Sequence, residues 1–289
     1  MMLALRRWRD ETGDVTLLGA VRVVLGALLL ANALRAASEL RAGYFGDVFH
    51  WPILPSGLVP SRGVYTAIVV VQLVVAVLVV VGLRARDALL ASALLGTYVL
   101  LCDRLQYHHN RWALFAYALL LAFAPCDRTF CVTAARVGRI GPLWAARLAQ
   151  LQVSVIYVAS GGSKLFDPDW RSGRVLLERF HLYARGIDPS GVVAALVQLV
   201  AHPATAGLLA AFAIATELFL AAGLWWRKTR VLALCWGVGF HLSIEATSRV
   251  EGFTWLTLAV YALFLTPDMF AWRVLAARAD AFTRRAKRL

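Results

Sequence analysis

The chain has 289 residues, of which 60% are hydrophobic and only 16% charged, and its mean hydropathy is +0.67. Soluble domains carry roughly 25% charged residues, so this composition excludes an ordinary water-soluble enzyme and points to a chain that uses the bilayer as solvent. The formal charge of +13, with an isoelectric point near 10.3, fits Lys and Arg at the ends of membrane helices better than a nucleic-acid surface.

Eight apolar segments of helical length follow one another: 15–34, 64–83, 88–102, 112–124, 143–162, 205–226, 231–246 and 254–270. They predict an all-α integral membrane protein, a polytopic bundle of about eight transmembrane helices forming a single domain with its core at 15–270. The first segment follows Arg6, Arg7 and Arg9 as a signal sequence would. It is long for one and no clean small-residue cleavage site follows, so it reads as a retained span. Counting Lys and Arg between spans gives 17 on the side of the N-terminus and 11 on the other, which predicts both termini in the cytoplasm. On that topology 163–204 is a long extracytoplasmic loop, with a partly apolar piece at 191–201 expected to lie in the interface or to re-enter. The basic tail, 271–289, rests on cytoplasmic headgroups. Cys102, Cys126, Cys131 and Cys235 lack metal-site spacing. Cys126 and Cys131, with four residues between them, leave a disulfide or redox role open. No metal is expected.

Ionisable residues inside a membrane are costly, and each is a functional or structural hypothesis. Arg22 and Glu217 fall at similar depth in the first and sixth segments and read as a structural ion pair. His241 and Glu245 share a face of the seventh segment at a spacing of four; they read as interhelical hydrogen bonders or as the lining of a polar cavity. Gln150, Ser154, Tyr157, Gly161 and Lys164 form one stripe on the fifth. Its terminal lysine is either a snorkelling anchor or a base held in an apolar place. Tyr107, His108, His109 and Asn110 sit in the connection before the fourth segment, on the same predicted side as Lys164, without zinc-motif spacing.

The run from Tyr157 through Ser160, Gly161, Gly162, Ser163, Lys164, Leu165, Phe166 and Trp170 to Gly173 resembles a signature of the vitamin K-dependent γ-carboxylase-like proteins. That family includes the short bacterial HTTM (horizontally transferred transmembrane) proteins. Arg22 to Gly26, His109-Asn110 with Phe123 and Asp127, Ala215 to Leu220, Arg227 to Arg230, and Phe240 to Leu242 match further family positions in order, covering roughly 15–270. The resemblance implies Lys164 as the base that deprotonates a reduced vitamin K or another quinol, with His109 assisting. Tyr157, Trp170, His241, Glu245 and Asn110 would bind substrate. In the reaction it implies, the quinol anion reacts with oxygen. The resulting strong base takes a γ-proton from a glutamate, the carbanion adds carbon dioxide, and a quinone epoxide leaves. An apolar site suits such chemistry because water would quench the carbanion.

Two functions follow from the resemblance. One is a quinol-dependent carboxylase or oxygenase acting on glutamate of a secreted or extracytoplasmic peptide. The other is a non-carboxylating membrane factor for maturation or export of a secreted peptide, similar to the membrane factor of the sporulation-delaying system. The second draws on the absence, after the last segment, of the large extramembrane domain with which mammalian-type carboxylases hold a propeptide. Expected partners are the lipid bilayer and a secreted peptide, with no nucleic acid. The expected location is the bacterial inner membrane, with the site facing the extracytoplasmic side. A transporter is disfavoured by the lack of repeated halves.

Overall fold

The computed structural model describes residues 10–46, 50–105, 107–132, 138–184, 199–248, 250, 252–266, 269, 274 and 277–279. In chain order the elements are β1 (Thr12–Asp14), α1 (Thr16–Arg41), a 3-10 turn (Ser56–Leu58), α2 (Arg62–Val81), α3 (Ala85–Cys102) and α4 (His109–Ala122). They continue with β2 (Ile140–Pro142), α5 (Trp144–Phe166), α6 (Pro168–Arg171), α7 (Arg174–Ala184), α8 (Pro203–Gly223), α9 (Arg230–Ser248), α10 (Phe253–Tyr261) and a closing 3-10 turn (Ala262–Phe264). The chain forms two units, one of residues 1–150 with 250–289 and one of residues 151–249.

A helix occupies each of the eight expected places. Among the described residues four of them, α1, α2, α3 and α8, are long and apolar enough to cross a membrane. The others fall short for visible reasons. α4 has 14 residues and α10 has 9. α5 contains Arg147, Gln150 and Lys164, and α9 contains His241 and Glu245. Valine favours strands in water, yet the valine-rich α2 is a helix, since only a helix pairs every backbone group within its own segment in an apolar medium. The short antiparallel pairing of β1 with β2, Gly13 opposite Gly141, was not foreseen. Three-residue strands carry too little alternation to register in a sequence. Most of the 191–201 piece, nearly all of the 271–289 tail, and Arg6, Arg7 and Arg9 lie outside the described residues.

In the first unit α1 packs against α2, α4 and α10, while α3 packs against α2 and α4. The fully buried Arg22 of α1 ties these elements together. Its Nη1 donates to the carbonyls of Val79 at 2.8 Å and Val80 at 3.4 Å. Its Nη2 donates to Thr129 at 3.2 Å and Phe130 at 2.6 Å. The last carbonyls of α2 have no partner within their own helix, and a guanidinium supplies donors in a fixed fork. Gly82 ends α2 at φ +79°, and a side chain there would run into Cys131 and into Arg22 itself. Arg22, expected to pair with Glu217, directs both terminal nitrogens to carbonyls of its own unit, and Glu217 has the partners described below.

Elsewhere in this unit, Arg147 at the start of α5 pairs with Glu11, and Gln150 donates to the Leu263 carbonyl at 2.7 Å. All four cysteines are free, so no disulfide joins Cys126 to Cys131. Their thiols donate instead to the carbonyls of Leu121 and Asp127. Just beyond α3, buried Asp103 gathers Tyr44 Oη at 3.2 Å, His50 Nδ1 at 3.0 Å and the backbone N–H groups of Trp51 and Leu105. Burial alone would raise the Asp103 carboxyl. The hydrogen bonds from His50, Leu105, Trp51 and Tyr44 outweigh it and hold the group below the usual carboxylate range.

Two outcomes follow. Arg22→Met removes the donors to four carbonyls, two of them in buried and two in part-buried hydrogen bonds, and should destabilise the protein by on the order of 3 kcal/mol, read as a fall in Tm in detergent; Arg22→Lys should recover only part, because an ammonium lacks the fork. Because the Asp103 carboxyl is depressed in the folded state, its stabilisation is present above the unfolded value of about 3.9 and is lost as pH falls through the folded one. Melting curves from pH 6 to pH 3 should therefore show an acid loss that is smaller in Asp103→Asn.

Candidate functional site

The stripe expected on α5 lies within the second unit from Ser154 onward and meets partners on α8 and α9. Ser154 Oγ accepts from Trp225 Nε1 at 2.7 Å. Tyr157 Oη lies 2.6 Å from Nε2 of His241, and both residues are almost fully buried. Gly161 abuts Glu217 and Leu218, where a Cβ would meet atoms at 3.1–3.3 Å. Above it, Lys164 Nζ donates to Glu217 Oε1 at 2.5 Å and to Ser160 Oγ at 2.9 Å, and Ser160 also donates to Oε1 at 3.1 Å. The side chains of Lys164 and Glu217 are only 17% and 8% exposed, so the pair is largely shielded, with Glu217 buried.

The chain after Lys164 is shaped to cover it. Asp167 caps α6, its side chain accepting from the N–H groups of Asp169 and Trp170, and Pro168 occupies the first turn, where its missing N–H does no harm. This short turn sets the Trp170 ring 4.8 Å from Nζ, a cation–π contact that covers the ammonium with an apolar face. Gly173 then takes φ +79° and touches the backbone of Ala206 and Gly207; any side chain there would collide with α8. Gly161 thus lies beside Glu217, and Gly173 lies beside Gly207. Those contacts are about 15 Å apart along α8 by helical rise. The chain from Gly161 to Gly173 therefore runs along α8 toward its N-terminal end.

Two buried carboxylate oxygens, Oε2 of Glu217 and Oε2 of Glu245, have no hydrogen-bond partner among the described residues. Glu217 thus holds the lysine with one oxygen and keeps the other as an acceptor. Tyr157, Lys164, Trp170, Glu217, Glu245 and His241 all belong to the second unit. His109 and Asn110 belong to the first, at the start of α4, where the His108 side chain caps the helix and Asn110 Nδ2 donates to the Val250 carbonyl at 3.3 Å. Ser160 and Trp225 were missed as site residues. A serine four positions before a lysine on one helix face was the available signal for Ser160; nothing in the spacing marks Trp225. Among the described residues, no group of His, Cys, Asp and Glu could hold a metal ion.

The pairing can be checked by exchange. Removing one partner of a buried ion pair leaves an uncompensated charge, a loss of about 3–5 kcal/mol, whereas an apolar pair of similar volume is often tolerated. Glu217→Leu and Lys164→Met alone should each lower Tm in detergent more than the double variant does. Additive losses would mean that the two groups are not coupled.

No curated protein and no solved structure matches the chain. The model of the HTTM domain matches residues 11–269, nearly the whole length, and takes in both polar centres described above. Together with its apolar helices, that match makes the chain an integral membrane protein belonging to the HTTM domain family.

Proposed function

We propose that this protein is a quinol-using modification enzyme of the bacterial inner membrane that carboxylates or oxidatively modifies glutamate of a secreted peptide, with Lys164 and Glu217 as its proton-handling pair. In this reading all eight helices cross the membrane, both termini are cytoplasmic and the site faces the extracytoplasmic side. The observation that carries the proposal is a lysine ammonium held 2.5 Å from a buried carboxylate whose second oxygen has no partner among the described residues.

The residues suit a quinol. Glu217 Oε2 can accept a phenolic hydroxyl, Trp170 offers an aromatic face beside Nζ, and Tyr157 with His241 adds a second buried polar contact. When bound, the quinol supplies electrons to oxygen and so the driving force for abstracting a carbon-bound proton. The chain's own contribution is proton placement. Lys164 lies with Glu217 and Ser160 in one hydrogen-bonded set, so a proton arriving from a hydroxyl can be shared among the three without crossing water. Trp170 shields the set from one side. The charge of Lys164 also favours an anionic oxygen beside it, the electrostatic part of catalysis in a dry site.

The test uses purified protein in nanodiscs with reduced vitamin K, oxygen, labelled bicarbonate and a glutamate-containing peptide, following quinone epoxide. Loss of a positioned acid–base group typically slows a reaction by 10²–10⁴-fold. Lys164→Ala should therefore lower epoxide formation by about 10²-fold or more, and Glu217→Gln by a smaller factor. A folded wild type that forms no epoxide with any of several quinols would sink the proposal and leave the non-carboxylating maturation factor in its place.

A further inference from the structure

The first unit contains a cavity of about 160 Å³ that the proton-handling pair does not use. Its polar wall comprises Asn32 and Arg35 of α1 with Asn110 and Arg111 of α4; its apolar wall comprises Leu28, Ala31, Leu114 and Leu256. The two walls are ordered along the helices. Arg35 stands six residues from the end of α1, Asn110 and Arg111 are in the first turn of α4, and Gly252 is the N-cap of α10. Leu28, Leu114 and Leu256 come one to two turns further from those ends, while Ala31 is the neighbour of Asn32. The cavity therefore changes from cationic and hydrogen-bonding at the helix ends to hydrocarbon further in.

From this gradient we infer that the cavity is a binding site for one anionic phospholipid, with its phosphate between Arg35 and Arg111 and the start of an acyl chain along Leu28, Ala31, Leu114 and Leu256. Guanidinium groups match phosphate oxygens in pairs of parallel hydrogen bonds, and asparagine amides add neutral donors. Arg35 also holds Glu39 at 2.9 Å, which fixes the guanidinium while balancing part of its charge. Glu39 is not part of the cavity wall, although Arg35, Arg111 and Asn32 also line a smaller cavity that reaches it. An anion is favoured over a neutral headgroup because two cations and no carboxylate line the larger cavity. A lipid is favoured over a free ion because the wall beyond the arginines is apolar, a surface that an acyl chain would cover and a free ion would leave bare. The inference is independent of the quinol reading.

The experiment titrates the purified full chain in neutral detergent with dioctanoyl phosphatidylglycerol, dioctanoyl phosphatidylcholine or inorganic phosphate, reading Tm and, by native mass spectrometry, the number of lipids retained. Phosphatidylglycerol should raise Tm saturably with one lipid retained, and the other two probes should not. Arg111→Gln should weaken the apparent affinity about tenfold, and Leu114→Trp, which fills the apolar wall, should abolish it. Arg84→Gln, at an exposed helix-end arginine, should leave it unchanged. If Leu114→Trp does not fold, Ala31→Phe narrows the same wall from α1. Equal stabilisation by both lipids, equal stabilisation by inorganic phosphate, or a response that survives Arg111→Gln and the filled cavity would each overturn the proposal.

Discussion

In a chain this apolar, a buried charge must find its partners inside the protein, because neither lipid nor water is there to supply them. Arg22 shows how far that constraint reaches. One guanidinium in the second turn of α1 fastens the C-terminal carbonyls of α2 and the turn that follows α4. Three segments distant in sequence are fixed by a single side chain, and Gly82 leaves the room that Arg22 and Cys131 occupy beside it. The same constraint shapes the second unit, where Lys164 cannot remain an isolated ammonium and meets Glu217, Ser160 and the face of Trp170.

Which parts of this were legible in the sequence follows from what hydrophobicity encodes. The helices appeared where apolar runs of sufficient length lay, because any such run in an apolar solvent has one way to satisfy its backbone. The stripe from Gln150 to Lys164 was legible for the same geometric reason, since a helix brings every third or fourth residue to one face. Partner choice was not legible. Arg22 and Glu217 were matched by depth, but depth does not distinguish a carboxylate from a cluster of helix-end carbonyls, and a guanidinium can be satisfied by either. Nor did the position of Lys164 near a segment's end reveal its depth. The capped turn at Asp167 and the close approach of Gly173 to α8 make that end an interior one, and both depend on tertiary contacts.

The cluster around Asp103 and the cavity beside Arg35 and Arg111 went unread for a related reason. Each assembles residues from connections or helix ends that are separately unremarkable. His50, Tyr44 and Asp103 are ordinary loop polars until the fold places them within hydrogen-bond distance. Arginines at helix ends are common in membrane proteins, and the apolar residues Leu28, Leu114 and Leu256 are what set this cavity apart.

The two buried cations differ in what they leave available. Arg22 is surrounded by carbonyls, which cannot take its proton, and a guanidinium does not give one up in proteins. It can hold structure and nothing more. Lys164 is paired with a carboxylate, a group that exchanges protons, and that carboxylate keeps an oxygen with no partner among the described residues. Ser160 links the two and can pass a proton in either direction. Burial thus gives a cation held by carbonyls in one unit and a cation held by a titratable carboxylate in the other. The difference lies in the partner: a protein that needed only to pin Lys164 could have used carbonyls, as it does for Arg22. The choice of a carboxylate with a spare acceptor is the physical reason for placing the chemistry at Lys164 and Glu217.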